Sequence, residues 1–184
     1  MSIVVINGSG REGGNTEELT RLALQGLEYK EIVLREKQIL PIVDQRHTPG
    51  GFDPVNDDYD AVIQEMLAAD VLVFVSPVYW YSVSGLMKNV FDRWSQSLRD
   101  PRFVDFKTKM AEKKAYAIVV GGDNPRIKAL PMIQQLKYTF DFVGLPFEGY
   151  VLGQASKPGD IQNDRRALAE AAWLNDQLKA QVNV

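Results

Sequence analysis

Apolar residues recur along the chain in two alternating rhythms. Short apolar runs stand at Ile3–Ile6, Val71–Val75 and Ala115–Val120, with mixed ones at Glu31–Leu34 and Phe147–Leu152. Runs of this length bounded by turn residues predict strands. Between them lie longer segments with helical spacing. Asn15–Leu27 puts Leu19, Leu22 and Ala23 on one face, extended by Gly26, and Asp57–Ala69 turns Val62, Ile63, Met66 and Leu67 inward. Ser84–Leu98 and Ile127–Val143 follow, the latter ending near Gly144. Asp164–Val182 closes the series, with Leu168, Ala172 and Leu178 near one face and Trp173 beside it. Val71–Val75 has no polar position, so it is expected to be central and covered on both sides. Repeated β-α units predict an α/β fold, a doubly wound five-stranded parallel sheet with helices on both faces. Five strands suit the order 2-1-3-4-5.

One segment breaks the rhythm. Arg35–Asn56 holds Pro41, Pro49, Gly50, Gly51 and Pro54 and shows no helical period. Long irregular loops in compact domains tend to be functional. No internal repeat or linker divides the rest, so residues 1–184 are expected to form a single domain.

Composition narrows the function more by exclusion. Hydrophobic residues make up 45% and charged residues 24% of the chain, ordinary for a globular protein. The 21 basic and 24 acidic residues leave a net charge of −3. That balance suggests neither a nucleic-acid surface nor a strongly acidic electron carrier. No apolar run approaches the length of a membrane span and no basic leader precedes the first strand, so a cytoplasmic protein without membrane contact is expected. Cysteine is absent. Disulfides, thiolate nucleophiles and cysteine-held metal centres are therefore excluded, and redox chemistry requires an organic cofactor.

The most informative stretch is Asn7-Gly8-Ser9-Gly10-Arg11-Glu12-Gly13-Gly14-Asn15-Thr16, directly after the first strand. Small residues, hydroxyls and one arginine run into a helix start, an arrangement that gathers free N–H groups and positive charge around an anion. Asn15 with Glu18 three residues on reads as an N-cap and capping box, starting the helix near Thr16. Ser9, Arg11, Asn15, Thr16 and the amides of Arg11 through Thr16 are the expected phosphate ligands. The glycines also spell G-x-G-x-x-G, which keeps a dinucleotide site open with Glu36 as its ribose ligand, although the loop is long for that turn. A Walker A loop is excluded, because no Gly-Lys-Ser/Thr follows.

Two more loops belong on the same edge, since ligands of open α/β sheets bind at the carboxyl ends of the strands. Pro77-Val78-Tyr79-Trp80-Tyr81-Ser82 offers aromatic faces to a flat ring and a hydroxyl to its polar edge. Gly121-Gly122-Asp123 offers bare backbone for close approach. Taken singly, each of these features also fits ordinary packing or an ordinary turn.

With GSGREGGNT, SPVYWYSVSGLMKNVFDRW and VGGD, the chain resembles the flavodoxin-like NAD(P)H-dependent FMN reductase and quinone reductase family over essentially its whole length. The resemblance implies that Ser9, Arg11, Asn15 and Thr16 hold the FMN phosphate. It implies that Pro77, Val78, Tyr79, Trp80, Tyr81 and Ser82 line the isoalloxazine and ribityl chain, and that Gly121, Gly122 and Asp123 meet the other side of the ring. It also implies NAD(P)H as co-substrate in a ping-pong cycle, a quinone or flavin as acceptor, and a homodimer or homotetramer with the flavin near the subunit interface. Some relatives hold an iron–sulfur cluster on cysteines after the second strand; this chain has none there, so no cluster or other metal site is expected. No catalytic side chain is assigned, because flavin performs the redox step and the protein positions it. His47 receives no role. Lys88, Arg93 and Arg126 are surface or ion-pair candidates that could also steer a nicotinamide phosphate. The alternative reading is a flavodoxin-like electron carrier without NAD(P)H turnover. A fold-retaining regulatory protein and a flavin-free dinucleotide enzyme also remain open.

Overall fold

A computed structural model describes residues 1–182. Five parallel strands form one sheet in the order β2-β1-β3-β4-β5, with β1 at Ile3–Asn7, β2 at Lys30–Val33, β3 at Val71–Pro77, β4 at Lys114–Gly121 and β5 at Phe147–Gln154. This is the expected order. The helices are α1 (Asn15–Ala23), α2 (Tyr59–Ala68), α3 (Gly85–Ser97), α4 (Phe106–Ala111), α5 (Pro125–Lys128), α6 (Leu130–Val143) and α7 (Arg165–Val182).

The period of two in the strands builds two cores. Leu72 and Phe74 of β3 face α2, α3, α4 and α6, whereas Val71, Val73 and Val75 face α1 and α7. On the first side Phe74 packs against Phe140 at 4.6 Å and Phe91 at 5.6 Å between ring centroids. On the second, α7 turns Ala167, Ala171, Leu174 and Leu178 inward. Ala172, expected on that face, is exposed, and Trp173 is largely so.

Several helices depart from expectation. Helix α1 ends at Ala23, and Gly26 lies in the turn beyond it at φ 76°. The segment expected as one helix over Ile127–Val143 is two, divided at Ala129. Pro131 explains the break: it has no N–H to donate and its ring would crowd the carbonyl one turn back, so it sits in the first turn of a new helix. Gly144, at φ 79°, closes α6 in the left-handed conformation that its missing side chain allows. Helix α4 was not anticipated, since its six residues give no periodicity to read.

The Arg35–Asn56 segment begins with a 3-10 turn at Leu34–Glu36 and is otherwise irregular. A buried ion pair anchors it: the Arg93 guanidinium meets Asp57 at 2.6 Å, with the two side chains 2% and 1% exposed. Arg93 also donates to the Leu40 carbonyl at 3.2 Å, Asp57 accepts from the Leu40 amide at 2.9 Å, and Asn89 donates to the Ile39 carbonyl at 3.1 Å. The loop is thereby fastened to α3. His47 is exposed within it.

Candidate functional site

The loops after β1, β3 and β4 meet at the carboxyl edge of the sheet, as the doubly wound order requires. They enclose two adjoining clefts. The first, of ≈ 310 Å³, is lined by Ser9, Arg11, Asn15 and Thr16 on one side and by Pro77, Val78, Tyr79, Gly121 and Gly122 on the other. The second, of ≈ 460 Å³, is lined by Val78, Trp80, Tyr81, Gly121, Gly122, Asp123 and Lys128 among others. Val78, Gly121, Gly122 and Ser156 form the wall that the two share.

Internal hydrogen bonds shape the first loop. Buried Asn7 accepts from the Ser9 amide at 2.8 Å and donates to Glu17 at 2.9 Å and Glu31 at 2.8 Å. Glu17 also takes the Gly13 amide at 2.7 Å and pairs with Arg35. Burial alone would raise the Glu17 carboxyl, but the hydrogen bonds from Asn7 and Gly13 and the Arg35 charge outweigh it and hold the group below its ordinary value. Its negative charge is thus engaged behind the loop, and no carboxylate lines the first cleft.

The remaining donors define what the cleft can hold. The Arg11 amide is engaged by the Ser9 hydroxyl at 3.3 Å and the Gly13 amide by Glu17, so neither completes the expected cradle. Among the described residues, the amides of Glu12, Gly14, Asn15 and Thr16 and the Thr16 hydroxyl have no partner. The exposed Arg11 side chain stands beside them. A cation, a hydroxyl and orphan amides at a helix start suit an anion such as a phosphate.

The expected capping box does not form. Gly14 is the N-cap, without a side-chain bond, and Asn15 is the first helical residue. Both ends of the Asn15 amide instead hold the loop after β5, donating to the Lys157 carbonyl at 2.8 Å and accepting from the Ile161 amide at 3.2 Å. Glu18 is engaged by Gln162. The tertiary partners of both side chains displace the local cap.

The aromatic segment forms a tight turn. Tyr79 and Ser82 exchange both backbone hydrogen bonds at 3.0 Å, and the two residues between them, Trp80 and Tyr81, have φ of 50° and 63°. Bulky residues seldom adopt positive φ, and such strain clusters at ligand sites. Trp80 is 95% exposed. The Tyr81 hydroxyl donates to Asp123 at 2.9 Å, and Lys128 bonds the same carboxylate at 2.7 Å. Lys128 first, and Tyr81 second, hold the Asp123 carboxyl below its ordinary value. The Ser82 hydroxyl, expected at the polar edge of a ring, donates instead to Gln135 at 2.9 Å and lines neither cleft.

Val120, Pro125, Lys128, Ala129, Ala155 and Ser156 also line the clefts, although sequence reasoning did not place them there. The loop after β5 was recoverable, since β5 borders β4 in the expected order and ends at the same edge. Arg93 is buried in its pair with Asp57, and Arg126 holds Asp164 at 2.5 Å, so neither is free to steer a ligand. Lys88 pairs with Asp92 on the surface of α3. Glu36 is exposed beside Arg35, and no residue of Arg35–Asn56 lines either cleft. No cluster of potential metal ligands occurs among the described residues, and no described helix is long and apolar enough to cross a membrane.

Residues 1–154 match the NADPH-dependent FMN reductase family. The chain is 53% identical over 174 residues to the putative NAD(P)H-dependent FMN-containing oxidoreductase YwqN of Bacillus subtilis, covering 95% of this chain and 96% of that protein. It is similar to the solved structure of the Trp repressor binding protein from Bacillus subtilis, with a TM-score of 0.80, 50% identity, and coverage of 94% of this chain and 99% of that one. The fold is shared with an FMN-dependent NADH-azoreductase from Bacillus anthracis in complex with FMN, at a TM-score of 0.68 and 14% identity, over 97% of this chain and 99% of that one. The chain belongs to the NADPH-dependent FMN reductase family, flavodoxin-like oxidoreductases that work with FMN and NAD(P)H.

Proposed function

We propose that this flavoprotein passes electrons from NAD(P)H to a small planar acceptor, a quinone or a free flavin, with the whole chain acting as one FMN-binding domain. The observation that carries the reading is the pair of clefts sharing one wall. One is rich in free N–H donors and the other is walled by an aromatic turn, matching an anion and a flat ring joined in one ligand. Both volumes lie within the range of small-molecule sites.

In this reading Ser9 shapes the phosphate loop through Arg11, and Arg11, Thr16 and the free amides of Gly14 to Thr16 hold the phosphate. Pro77, Val78, Tyr79, Trp80 and Tyr81 line the ring and ribityl chain, with Ser82 closing their turn through its backbone. Gly121, Gly122 and Asp123 face the ring from the other side. When bound, FMN supplies two-electron exchange between a nicotinamide and an acceptor. The chain holds it, and the open second cleft admits the reactants in turn.

A second copy of the chain fits the exposed apolar residues of α5 and α6: Ile127 and Leu130 stand in solvent next to Lys128 and Ala129 of the second cleft, and Tyr138 and Phe142 are exposed further along α6. We place this homo-oligomer, a dimer or tetramer, in the cytoplasm, with no nucleic-acid or membrane partner. Light scattering should give a multiple of the 20.7 kDa chain mass; a monomer would remove the oligomer from the account.

Steady-state NADPH oxidation tests the acceptor. Turnover that depends on added quinone or free flavin supports the reductase reading. FMN binding without NAD(P)H turnover favours an electron carrier.

A further inference from the structure

Three loops were expected to meet the ligand; a fourth stands beside them. Of the segment after β5, Ala155 lines the first cleft and Ser156 lines both. A Cβ placed on Gly122 would lie 2.5 Å from the Ser156 hydroxyl, which therefore sits directly against the bare backbone of the loop after β4. Among the described residues this hydroxyl has no hydrogen-bond partner.

The segment is held from several sides. The Ala155 amide donates to the Gly121 carbonyl at 3.0 Å. Asp160 accepts the amides of Ser156 at 3.3 Å and Lys157 at 2.7 Å. Asn15 clasps its far end through Lys157 and Ile161. Ser156 is exposed, so its hydroxyl, held beside both clefts and unclaimed by the protein, is free to meet a ligand. Its position where the phosphate-loop cleft meets the aromatic cleft matches the middle of the cofactor, which in FMN is a chain of hydroxyls.

We propose that Ser156 binds the ribityl hydroxyls of the flavin, and that Asn15 is the positioning residue that sets the Ser156 loop. The proposal rests on the flavin-site reading above. It goes beyond that reading, because Ser156 lies outside the residues that match the family.

Three probes separate the parts of the site: FMN, riboflavin (no phosphate) and lumiflavin (no ribityl chain), each titrated by fluorescence against the full chain. Ser156→Ala should weaken FMN and riboflavin alike, by about two- to tenfold for one neutral hydrogen bond, and leave lumiflavin unchanged. Arg11→Ala should weaken FMN alone. Asn15→Ala should reproduce the Ser156→Ala pattern, with the double variant no worse than Asn15→Ala. Hydrogen exchange gives a readout independent of affinity: FMN should protect residues 156–161 in the wild type but not in Asn15→Ala. Unchanged FMN and riboflavin affinities in Ser156→Ala, with Arg11→Ala still weakened, would overturn the proposal and leave the flavin site standing. A wild-type chain that binds none of the three probes would overturn both.

Discussion

The hydroxyl of Tyr81 donates to the carboxylate of Asp123 at 2.9 Å, tying the aromatic turn to the loop after β4. Both residues line the second cleft, so the bond shapes the cleft more than it stabilises the protein. Tyr81→Phe removes it and leaves the backbone pair Tyr79–Ser82 to hold the turn. We expect FMN affinity to fall about two- to tenfold, while the melting temperature hardly moves, because the pair is exposed. Parallel fluorescence titration and thermal unfolding check both halves.

The turn itself stores strain. Trp80 and Tyr81 occupy the left-handed region, at about 1–2 kcal/mol each for residues with a side chain. Asn-Gly suits this turn geometry. The double variant Trp80→Asn, Tyr81→Gly should therefore raise stability by about 1 kcal/mol while weakening flavin binding and acceptor turnover. Urea unfolding and NADPH turnover on the same samples read the trade directly. A gain in stability with no functional loss would mean that the aromatic turn serves neither cofactor nor acceptor.

Arg11 is exposed at the first cleft, and its removal should leave the fold intact. Charged hydrogen bonds contribute about 1.5–3 kcal/mol, so Arg11→Ala should weaken FMN by no more than that. Calorimetry checks it. Unchanged FMN affinity would show the phosphate-loop assignment to be wrong.

The Asp57–Arg93 pair gives an acid-sensitive anchor. Burial alone would raise the Asp57 carboxyl, but Arg93 and the Leu40 and Tyr59 amides outweigh it and hold the group below its ordinary value of 3.8. A depressed carboxyl stabilises the fold fully above its unfolded value. That contribution fades as pH falls below about 4 toward the folded value. Glu17 and Asp164 are lowered too and act in the same direction. Urea midpoints should hold steady from neutral pH to about pH 5 and then drop. Asp57→Asn leaves the Arg93 charge buried and unpaired, and should cost about 3–5 kcal/mol at neutral pH, with a shallower acid dependence. A variant as stable as the wild type would contradict the anchoring role.

The sheet order was legible because β3 is apolar at Val71–Val75 and the remaining strands alternate cleanly with amphipathic helices. The three loops were legible because the carboxyl edge collects them whatever their contacts. What eluded sequence reasoning depends on partners distant in the chain. Asn15 and Glu18 have cap chemistry, yet Lys157, Ile161 and Gln162 claim them across more than 140 positions. Ser82 is drawn to Gln135 in the same way. Arg93 reads as a surface cation on α3 until Asp57 and Leu40 close over it. Ser156 carries no local motif and becomes visible only once β5 is seen to end beside β4.

The most direct test is the visible spectrum of the purified chain with FMN, recorded anaerobically before and after NADPH. A protein-bound flavin is expected, whose absorbance bleaches on adding NADPH and returns on adding a quinone. A flavin that binds but is not reduced, or no bound flavin at all, would contradict the reductase reading.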